Sequence, residues 1–253
     1  MREIRRILPR HDLIYLGDTA RFPYGTQSPA VLKRYAKEDA DFLIQHGAKI
    51  IVIACNSASA AASDYLREKI SLPVFDVIGP AIFRAKKKTR GGRIGVIGTK
   101  ATLRSGIYES LLRDQEERYT IISAAAPLLV PLVEERGWKY PEAKRITRRY
   151  LRPFKVARVD TLILACTHYP ILQTMIEKIM GPKTVIVNPA VALAAALKDF
   201  FEQENDIDAA LGKNGVLKMY VTDDSDSFKK TAAWWLGSGE KLKVEEAEVG
   251  NNP

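Results

Sequence analysis

Two stretches of this chain share one pattern: I-I-V-I-A-C-N-S-A-S at Ile50–Ser59 and T-L-I-L-A-C-T-H-Y-P at Thr161–Pro170. Each has a short apolar run, then Ala, then Cys, then polar residues that are able to cap a helix. A continuous apolar run is typical of a parallel strand that is covered on both faces. The pattern therefore predicts, twice in one chain, a buried strand with a cysteine at its carboxyl end and a helix directly after it.

Similar units extend outward from these two stretches over the whole chain. Helices, among them one over 102–113 and one over 225–236, are predicted to alternate with strands at 12–16, 50–54, 74–78, 94–97, 120–123, 161–165, 184–187, 217–221 and 241–245. Such alternation indicates βαβ units and an α/β fold. We predict two pseudo-symmetric lobes, each a mostly parallel sheet flanked by helices, with the active site between them. Lobe 1 would comprise 1–81 plus 188–253, with lobe 2 at 82–187, because Gly79-Pro80 and Asn188-Pro189 each follow a strand.

The composition is that of a globular protein without a membrane span. The chain has 253 residues, 27% of them charged, and no run of 18 or more apolar residues. The basic start, M-R-E-I-R-R, has no long apolar segment behind it, which argues against a secretory leader. We therefore expect a cytoplasmic protein with reduced cysteines.

The net charge of +9 raises nucleic acid as a partner. Six cations and no acid lie within Arg84–Arg93, and seven cations and no acid lie within Lys144–Arg158. Neither cluster has an RNA-binding signature or zinc-finger spacing. We interpret both as solvated helix faces and do not expect nucleic acid as a partner.

The two cysteines, Cys55 and Cys166, are predicted at the carboxyl ends of parallel strands, where open α/β sheets bind ligands. A helix N-terminus beside a thiol lowers its pKa and favours the thiolate. The alternative is that each is a small buried apolar residue.

The three histidines have no zinc-like spacing with the cysteines, so no metal site is expected. A redox pair stays open, but inversion at a carbon acid fits two opposed thiols better, since one removes a proton and the other delivers one.

Four motifs carry a resemblance to a known family: G-D-T-A-R-F-P-Y-G, A-C-N-S-A-S, I-G-V-I-G-T-K-A-T and A-C-T-H-Y-P-I-L. In order and over nearly the whole chain they resemble the aspartate/glutamate racemase family, and within it the bacterial glutamate racemases. The resemblance implies a cofactor-independent enzyme that interconverts L- and D-glutamate for peptidoglycan. It also implies a homodimer.

The resemblance implies roles for individual residues. Cys55 and Cys166 would be the two proton donors and acceptors, with His168 and Glu134 as acidic helpers. The implied substrate-binding residues are Tyr24, Gly25, Asn56, Ser57, Thr167 and His168. For Thr99 and Thr102 two interpretations stay open: their hydroxyls add to the binding of the substrate carboxylate, or they only cap their helix. Asp18 and Thr19 are expected to hold the P-Y-G loop in shape rather than to touch substrate.

The chain departs from the family pattern at two places. The family more often has Thr where Ser57 stands, a change that keeps the hydroxyl. The family also opens with a strand ending in Asp-Ser, whereas Met1 is expected to begin inside the following helix, which would leave backbone groups of the sheet unpaired and reduce stability and activity. Two rivals remain: a non-catalytic, racemase-like protein that binds a partner such as DNA gyrase, and a thiol switch that forms a Cys55–Cys166 disulfide.

Overall fold

The fold was analysed in a computed structural model, which describes residues 1–113, 119–223 and 243–250 together with positions 226, 228, 229, 232 and 236. The described strands are β1 (Leu13–Gly17), β2 (Ile51–Ile53), β3 (Val74–Asp76), β4 (Arg93–Gly98), β5 (Thr120–Ala125), β6 (Thr161–Ala165), β7 (Val185–Val187), β8 (Leu217–Val221) and β9 (Val244–Glu246). The described α-helices are α1 (Arg2–Ile7), α2 (Pro29–Gln45), α3 (Asn56–Lys69), α4 (Ile78–Lys88), α5 (Lys100–Arg104), α6 (Ile107–Arg113), α7 (Leu129–Glu134), α8 (Pro141–Val156), α9 (Gln173–Met180), α10 (Pro189–Gln203) and α11 (Asn205–Ala209). All strand pairs are parallel, as the alternation of strands and helices predicts.

The second lobe is built on a four-stranded sheet of order β5-β4-β6-β7. Every residue of β6 is buried, and the strand lies between two neighbours, so its continuous apolar run is explained by cover on all sides. One core cluster packs on each face of this sheet: α4 and α10 supply residues on one side, and α7, α8 and α9 on the other. The predicted strand at 161–165 is confirmed.

The strands of the first lobe fall into two separate sheets. One has the order β1-β8-β9 and the other consists of β2 and β3. Helices α2 and α3 pack together against β2, with Ala36, Ala40 and Ala62 buried between them. Among the described residues no strand joins β1 to β2, so the first lobe has two sheets where the sequence predicts one.

Two helical regions differ from the prediction. The helix expected over 102–113 is divided into α5 and α6, because Gly106 takes a left-handed φ of +67° between them. The sequence analysis interpreted the Arg84–Arg93 cluster as a helix face but did not predict that α4 begins at Ile78. Gly79-Pro80 lies in its first turn, where proline's missing N–H costs no hydrogen bond. Asp76 Oδ1 accepts the N–H groups of Ile78 (2.7 Å) and Gly79 (3.3 Å) and caps this helix.

The predicted domain limits stay a prediction, and the limit at 81/82 falls inside α4. The helix predicted over 225–236 lies largely outside the described residues.

All seven cations of the Lys144–Arg158 cluster are exposed, as expected for a solvated helix face. No helix within the described part of the chain is long and apolar enough to cross a membrane.

Candidate active site

Both cysteines lie at the carboxyl ends of buried parallel strands and line one large cavity of about 1870 Å³ between the lobes. Cys55 follows β2 and is the N-cap residue of α3, whereas Cys166 follows β6 and is 6% exposed. Both are free thiols. Two matched positions in two lobes therefore present sulfur to the same space.

The two thiols also have matching surroundings. Backbone N–H groups lower the pKa of each thiol against the effect of burial: those of Ser57 and Ala58 act on Cys55, and those of His168 and Tyr169 act on Cys166. In both cases the donors lie two and three residues after the cysteine, at the start of a helical segment. This is the geometry that stabilises an anion at a helix N-terminus.

Burial nevertheless outweighs these donors, which corrects the expectation of a lowered thiol pKa. Desolvation raises the pKa of Cys55, while the N–H groups and the Ser57 hydroxyl lower it by less. For Cys166, desolvation raises the pKa to about 12, and the nearby Cys55 and Glu134 add to the rise. Without ligand, both groups are therefore neutral thiols at neutral pH.

His168 links Cys166 to Glu134 through its two ring nitrogens. Nδ1 lies 3.8 Å from the Cys166 sulfur and 3.3 Å from the Thr167 hydroxyl, and Nε2 forms a short contact with Glu134 Oε1. Glu134 is the last residue of α7, an element that the sequence did not predict. A ring that donates from Nε2 to the carboxylate has its Nδ1 lone pair directed toward the thiol.

Three hydroxyls form a cluster where the lobes meet. Ser57 Oγ lies 2.9 Å from Thr99 Oγ1 and 3.2 Å from Thr102 Oγ1, and the two threonine oxygens are 3.0 Å apart. Ser57 and Thr99 line the cavity. Thr102 is fully buried behind them and does not, and its expected role in substrate binding stays a prediction.

The loop that carries Tyr24 and Gly25 reaches from the first lobe to the second. A Cβ on Gly25 would lie 3.0 Å from Thr99 Cβ, so only glycine allows this close approach. The Tyr24 hydroxyl donates to Asp18 and, at 3.1 Å, to Asp39. Desolvation and the adjacent Asp18 raise the pKa of Asp39 to about 7.

Asp18 holds this loop, in agreement with its expected structural role. Besides Tyr24, its carboxylate accepts hydrogen bonds from Arg21 Nε (2.7 Å) and the Thr222 hydroxyl (2.9 Å). Arg21 Nη2 extends the network by donating to Asp39 Oδ1 at 2.8 Å. The sequence analysis missed Asp39, because nothing in the local sequence separates it from the neighbouring acids Glu38 and Asp41 of the same helix.

The sequence analysis did not predict two further contacts. Asn56 is 3% exposed, and its Oδ1 accepts a hydrogen bond of 2.6 Å from the fully buried Tyr108 hydroxyl. The Phe22 ring, 47% exposed, lies 5.9 Å from the His168 ring. Both contacts join residues far apart in the chain, so spacing alone holds no signal for them.

Of the residues predicted for the site, all but Thr102 line the same cavity. The lining members are Tyr24, Gly25, Cys55, Asn56, Ser57, Thr99, Glu134, Cys166, Thr167 and His168. Over the described residues there is no group of three or more His, Cys, Asp or Glu that is placed to hold a metal ion. The arrangement provides two thiols, one imidazole–carboxylate pair and several N–H and O–H donors suited to an anionic ligand.

Comparison with known proteins identifies relatives of this chain. Residues 1–197 match the family model described as Asp/Glu/Hydantoin racemase. The glutamate racemase of Aquifex aeolicus is 42% identical over 245 residues, which is 96% of this chain and 91% of the relative. That of Geobacter metallireducens is 39% identical over 238 residues, or 94% and 87%.

Solved structures give the same result. A glutamate racemase isoform from Bacillus anthracis superposes with a TM-score of 0.90 at 35% identity, covering 97% of this chain and 91% of that one. The glutamate racemase of Francisella tularensis, solved in complex with D-glutamate, has a TM-score of 0.89 at 31% identity, covering 99% and 93%. The chain therefore belongs to the Asp/Glu/hydantoin racemase family and has its two-lobed fold.

Proposed function

We propose that this protein is a glutamate racemase that works by two-thiol proton transfer at Cα. One observation carries the proposal: Cys55 and Cys166 line one cavity from two lobes, each at the carboxyl end of a buried strand and at the start of a helical segment. Relatives named glutamate racemase match nearly the full chain, and one of them was solved with D-glutamate. Glutamate is therefore the substrate that we propose.

In the proposed reaction, the thiolate on one side of Cα takes its proton, and the thiol on the other side delivers a proton to the opposite face. The C–H electron pair stays on the substrate as a carbanion with its charge spread into the carboxylate. The thiol and the thiolate have then exchanged places, so a reverse turnover restores them. No electrons are lost or gained, and the balance requires no cofactor.

Formation of the first thiolate is the step for which this site needs help, because burial raises the pKa of both thiols. For Cys166 we propose that His168 Nδ1, 3.8 Å away, accepts the proton, and that the Glu134 carboxylate stabilises the resulting imidazolium. The ammonium group of a bound amino acid would further favour a thiolate, since an opposite charge nearby lowers a thiol pKa.

For substrate binding we propose the hydroxyls of Ser57, Thr99 and Thr167 and the exposed N–H groups at the two helix starts. Such donors suit carboxylates. Tyr24 and Gly25 would close the cavity from the first lobe, and Asn56 would be held in place by Tyr108. We further propose that the enzyme acts in the cytoplasm as a homodimer and that its D-glutamate supplies peptidoglycan.

The proposal is tested by racemisation in D₂O. NMR follows deuterium at Cα, and circular dichroism follows the ratio of L- to D-glutamate. Wild type should incorporate deuterium from L- and D-glutamate alike. Cys55→Ser and Cys166→Ser should each lower racemisation in both directions by about 10²–10⁴-fold, since each removes one acid–base group. A Glu142→Gln variant on the exposed face of α8 serves as the control.

Each result has a defined meaning. Racemisation that survives either cysteine substitution would contradict the two-thiol mechanism. A folded wild type that exchanges no Cα proton in either isomer would contradict the enzymatic function and favour the non-catalytic binding protein.

A further inference from the structure

Asp39 is a largely buried carboxyl group that the proposed reaction does not use. It lies in α2, its side chain is 22% exposed, and it lines the cavity that contains both cysteines. Its Oδ1 accepts a hydrogen bond of 2.8 Å from Arg21 Nη2, and its Oδ2 lies 3.1 Å from the Tyr24 hydroxyl oxygen. The side chain therefore joins α2 to the loop that carries Tyr24 and Gly25.

The Tyr24 hydroxyl has one proton and two carboxylate oxygens within reach. It makes a short contact with Asp18 and a longer one with Asp39. Desolvation and the negative charge of Asp39 raise the pKa of Tyr24, so the hydroxyl keeps its proton at neutral and mildly alkaline pH. When both acids are ionised, Tyr24 must share this proton between them. When Asp39 is protonated, its own O–H donates to the Tyr24 oxygen, and Tyr24 donates to Asp18 alone.

The charges around Asp39 favour its protonated form on balance. The titratable groups bonded to it or next to it are Asp18, Arg21 and Tyr24 from the loop after β1, Tyr35 and Glu38 from α2, and Cys55 from the start of α3. Among the described residues Arg21 is the one cation that bonds to Asp39, and it also binds Asp18 and Glu38. Desolvation and the charge of Asp18 therefore outweigh Arg21, and the pKa of Asp39 is raised to about 7.

The position of Tyr24 affects the contact between the lobes. Gly25, the next residue, lies so close to the second lobe that an added Cβ would be 3.0 Å from Thr99 Cβ. Tyr24 and Cys55 also pack against one core cluster. A shift of the Tyr24 ring would therefore change the fit between Gly25 and Thr99, next to the hydroxyls that we propose for binding the substrate carboxylate.

We propose that Asp39 is a positioning residue whose proton holds the Tyr24–Gly25 loop in place for substrate binding. The role in substrate binding rests on the proposed racemase function. In the protonated form, the chain from Asp39 through Tyr24 to Asp18 has one donor for each acceptor, and the loop is fixed against the second lobe. Loss of the proton leaves two carboxylates facing one hydroxyl, so the loop is held less firmly and the enzyme binds glutamate less tightly.

Steady-state kinetics from about pH 6 to about pH 8.5 test this role with two substitutions of Asp39. In the conservative variant Asp39→Asn, the amide oxygen faces Arg21 and the NH₂ group faces Tyr24, which reproduces the protonated acid at every pH. We expect the KM of wild type for glutamate to rise about three- to tenfold as the pH passes 7, and that of Asp39→Asn to keep the low-pH value. Asp39→Leu supplies no donor, so its KM should be raised about threefold or more at every pH.

Asp41→Asn provides the matched control on the same helix. Asp41 is 43% exposed and pairs with Lys37 at 2.7 Å, and it does not line the cavity. The KM of this variant should follow that of wild type at each pH.

NMR of the protein without ligand provides a measurement that needs no catalysis. With tyrosine labelled with ¹³C at Cζ, the Tyr24 signal, assigned by its absence in Tyr24→Phe, should shift near pH 7 in wild type and stay constant in Asp39→Asn. If the signal shifts in this way but wild type shows no racemisation, the hold of Asp39 on the loop is supported and the proposed function is contradicted.

Two results would overturn the proposal. The first is a Tyr24 signal that does not change near pH 7 in wild type, or that changes equally in Asp39→Asn. The second is one pH dependence of KM shared by wild type, Asp39→Asn and Asp39→Leu, which would limit Asp39 to a packing role.

Discussion

At the scale of single residues, desolvation controls the protonation of the thiols. Cys166 is almost fully buried, and its pKa is raised to about 12, well above the ordinary value of ~8.5 for a cysteine in an unfolded chain. A thiol whose pKa is raised by folding makes its full contribution to the free energy of unfolding at pH values below its unfolded-state pKa. That contribution is lost as the pH rises toward the folded-state pKa.

The first prediction is a difference in pH dependence between wild type and Cys166→Ser. Between pH 9 and 10.5, the free energy of unfolding of wild type should fall faster than that of the variant, by about 1.4 kcal/mol per pH unit. Urea denaturation at a series of pH values measures it. Cys166→Ala should show the same loss of slope, and parallel curves for all three proteins would contradict the prediction.

A second prediction concerns the carboxylate behind His168. In Glu134→Gln the contact with Nε2 keeps its shape but loses the charge that stabilises an imidazolium, so His168 should become a weaker base. We expect kcat for racemisation to fall by about 10–100-fold, with the acidic limb of the kcat profile moved to lower pH.

The exposed Glu142, which belongs to α8, provides the matched control for this variant. Glu142→Gln should leave both kcat and the pH profile unchanged. An unaltered acidic limb in Glu134→Gln would show that the carboxylate has no part in the proton transfer.

Sequence analysis identified most of these residues, since ten of the eleven predicted for the site line one cavity, from Tyr24 to His168. It identified them through short motifs in which the functional residue is adjacent to a strand end. The burial of Thr102 could not be predicted, because Thr99 and Thr102 have similar local patterns, whereas burial is decided by the packing of other elements. Tyr108 and Phe22 act across more than 50 residues, so no local pattern reveals them.

At the scale of elements, close packing fixes which positions tolerate a side chain. A Cβ added to Gly95 in β4 would lie 2.7 Å from Phe154 Cδ1 and 2.8 Å from Leu162 Cδ1. Gly95→Ala should therefore lower the free energy of unfolding by about 1–3 kcal/mol. Equilibrium urea denaturation provides the measurement.

Gly79→Ala is the matched control for this substitution. Its Cβ would have no heavy atom within 4 Å, and the residue lies in the first turn of α4. Alanine favours a helix, whereas the ring of Pro80 disfavours the helical conformation of a preceding alanine, so the free energy of unfolding should change by less than about 1 kcal/mol. Equal destabilisation by both substitutions would mean that contact with Phe154 and Leu162 is not the cause.

The elements that the sequence predicted best are those with the least ambiguous local pattern. The bounds of β6 and β8 agree with the prediction at every residue, because each is a hydrophobic run with clear breaks on both sides. The start of α4 was missed because Gly79-Pro80 is a turn signal by composition, and the N–H groups of its first turn are capped by the Asp76 side chain just before it. Whether Gly-Pro breaks or begins a helix depends on that hydrogen bond.

At the scale of the whole molecule, the two lobes differ in the completeness of their sheets. In the second lobe β4 and β6 each have a paired strand on both sides. In the first, β1 and β2 are each paired on one side only among the described strands and border a cavity of about 1870 Å³. Local opening is governed by the number of hydrogen bonds and buried contacts that must be broken, so the first lobe should open more readily.

Hydrogen–deuterium exchange of the protein alone tests this expectation. Amides of Val96 in β4 and Ile163 in β6 should exchange at least about a hundredfold more slowly than those of Ile14 in β1 and Val52 in β2, a difference of about 2.7 kcal/mol in opening free energy. Tyr15 and Ile51, which are bonded to β8 and β3, serve as controls within the same strands and should exchange at intermediate rates. If Ile14 and Val52 are as protected as Ile163, their edges are paired in solution, and the division of the first lobe into two sheets is wrong.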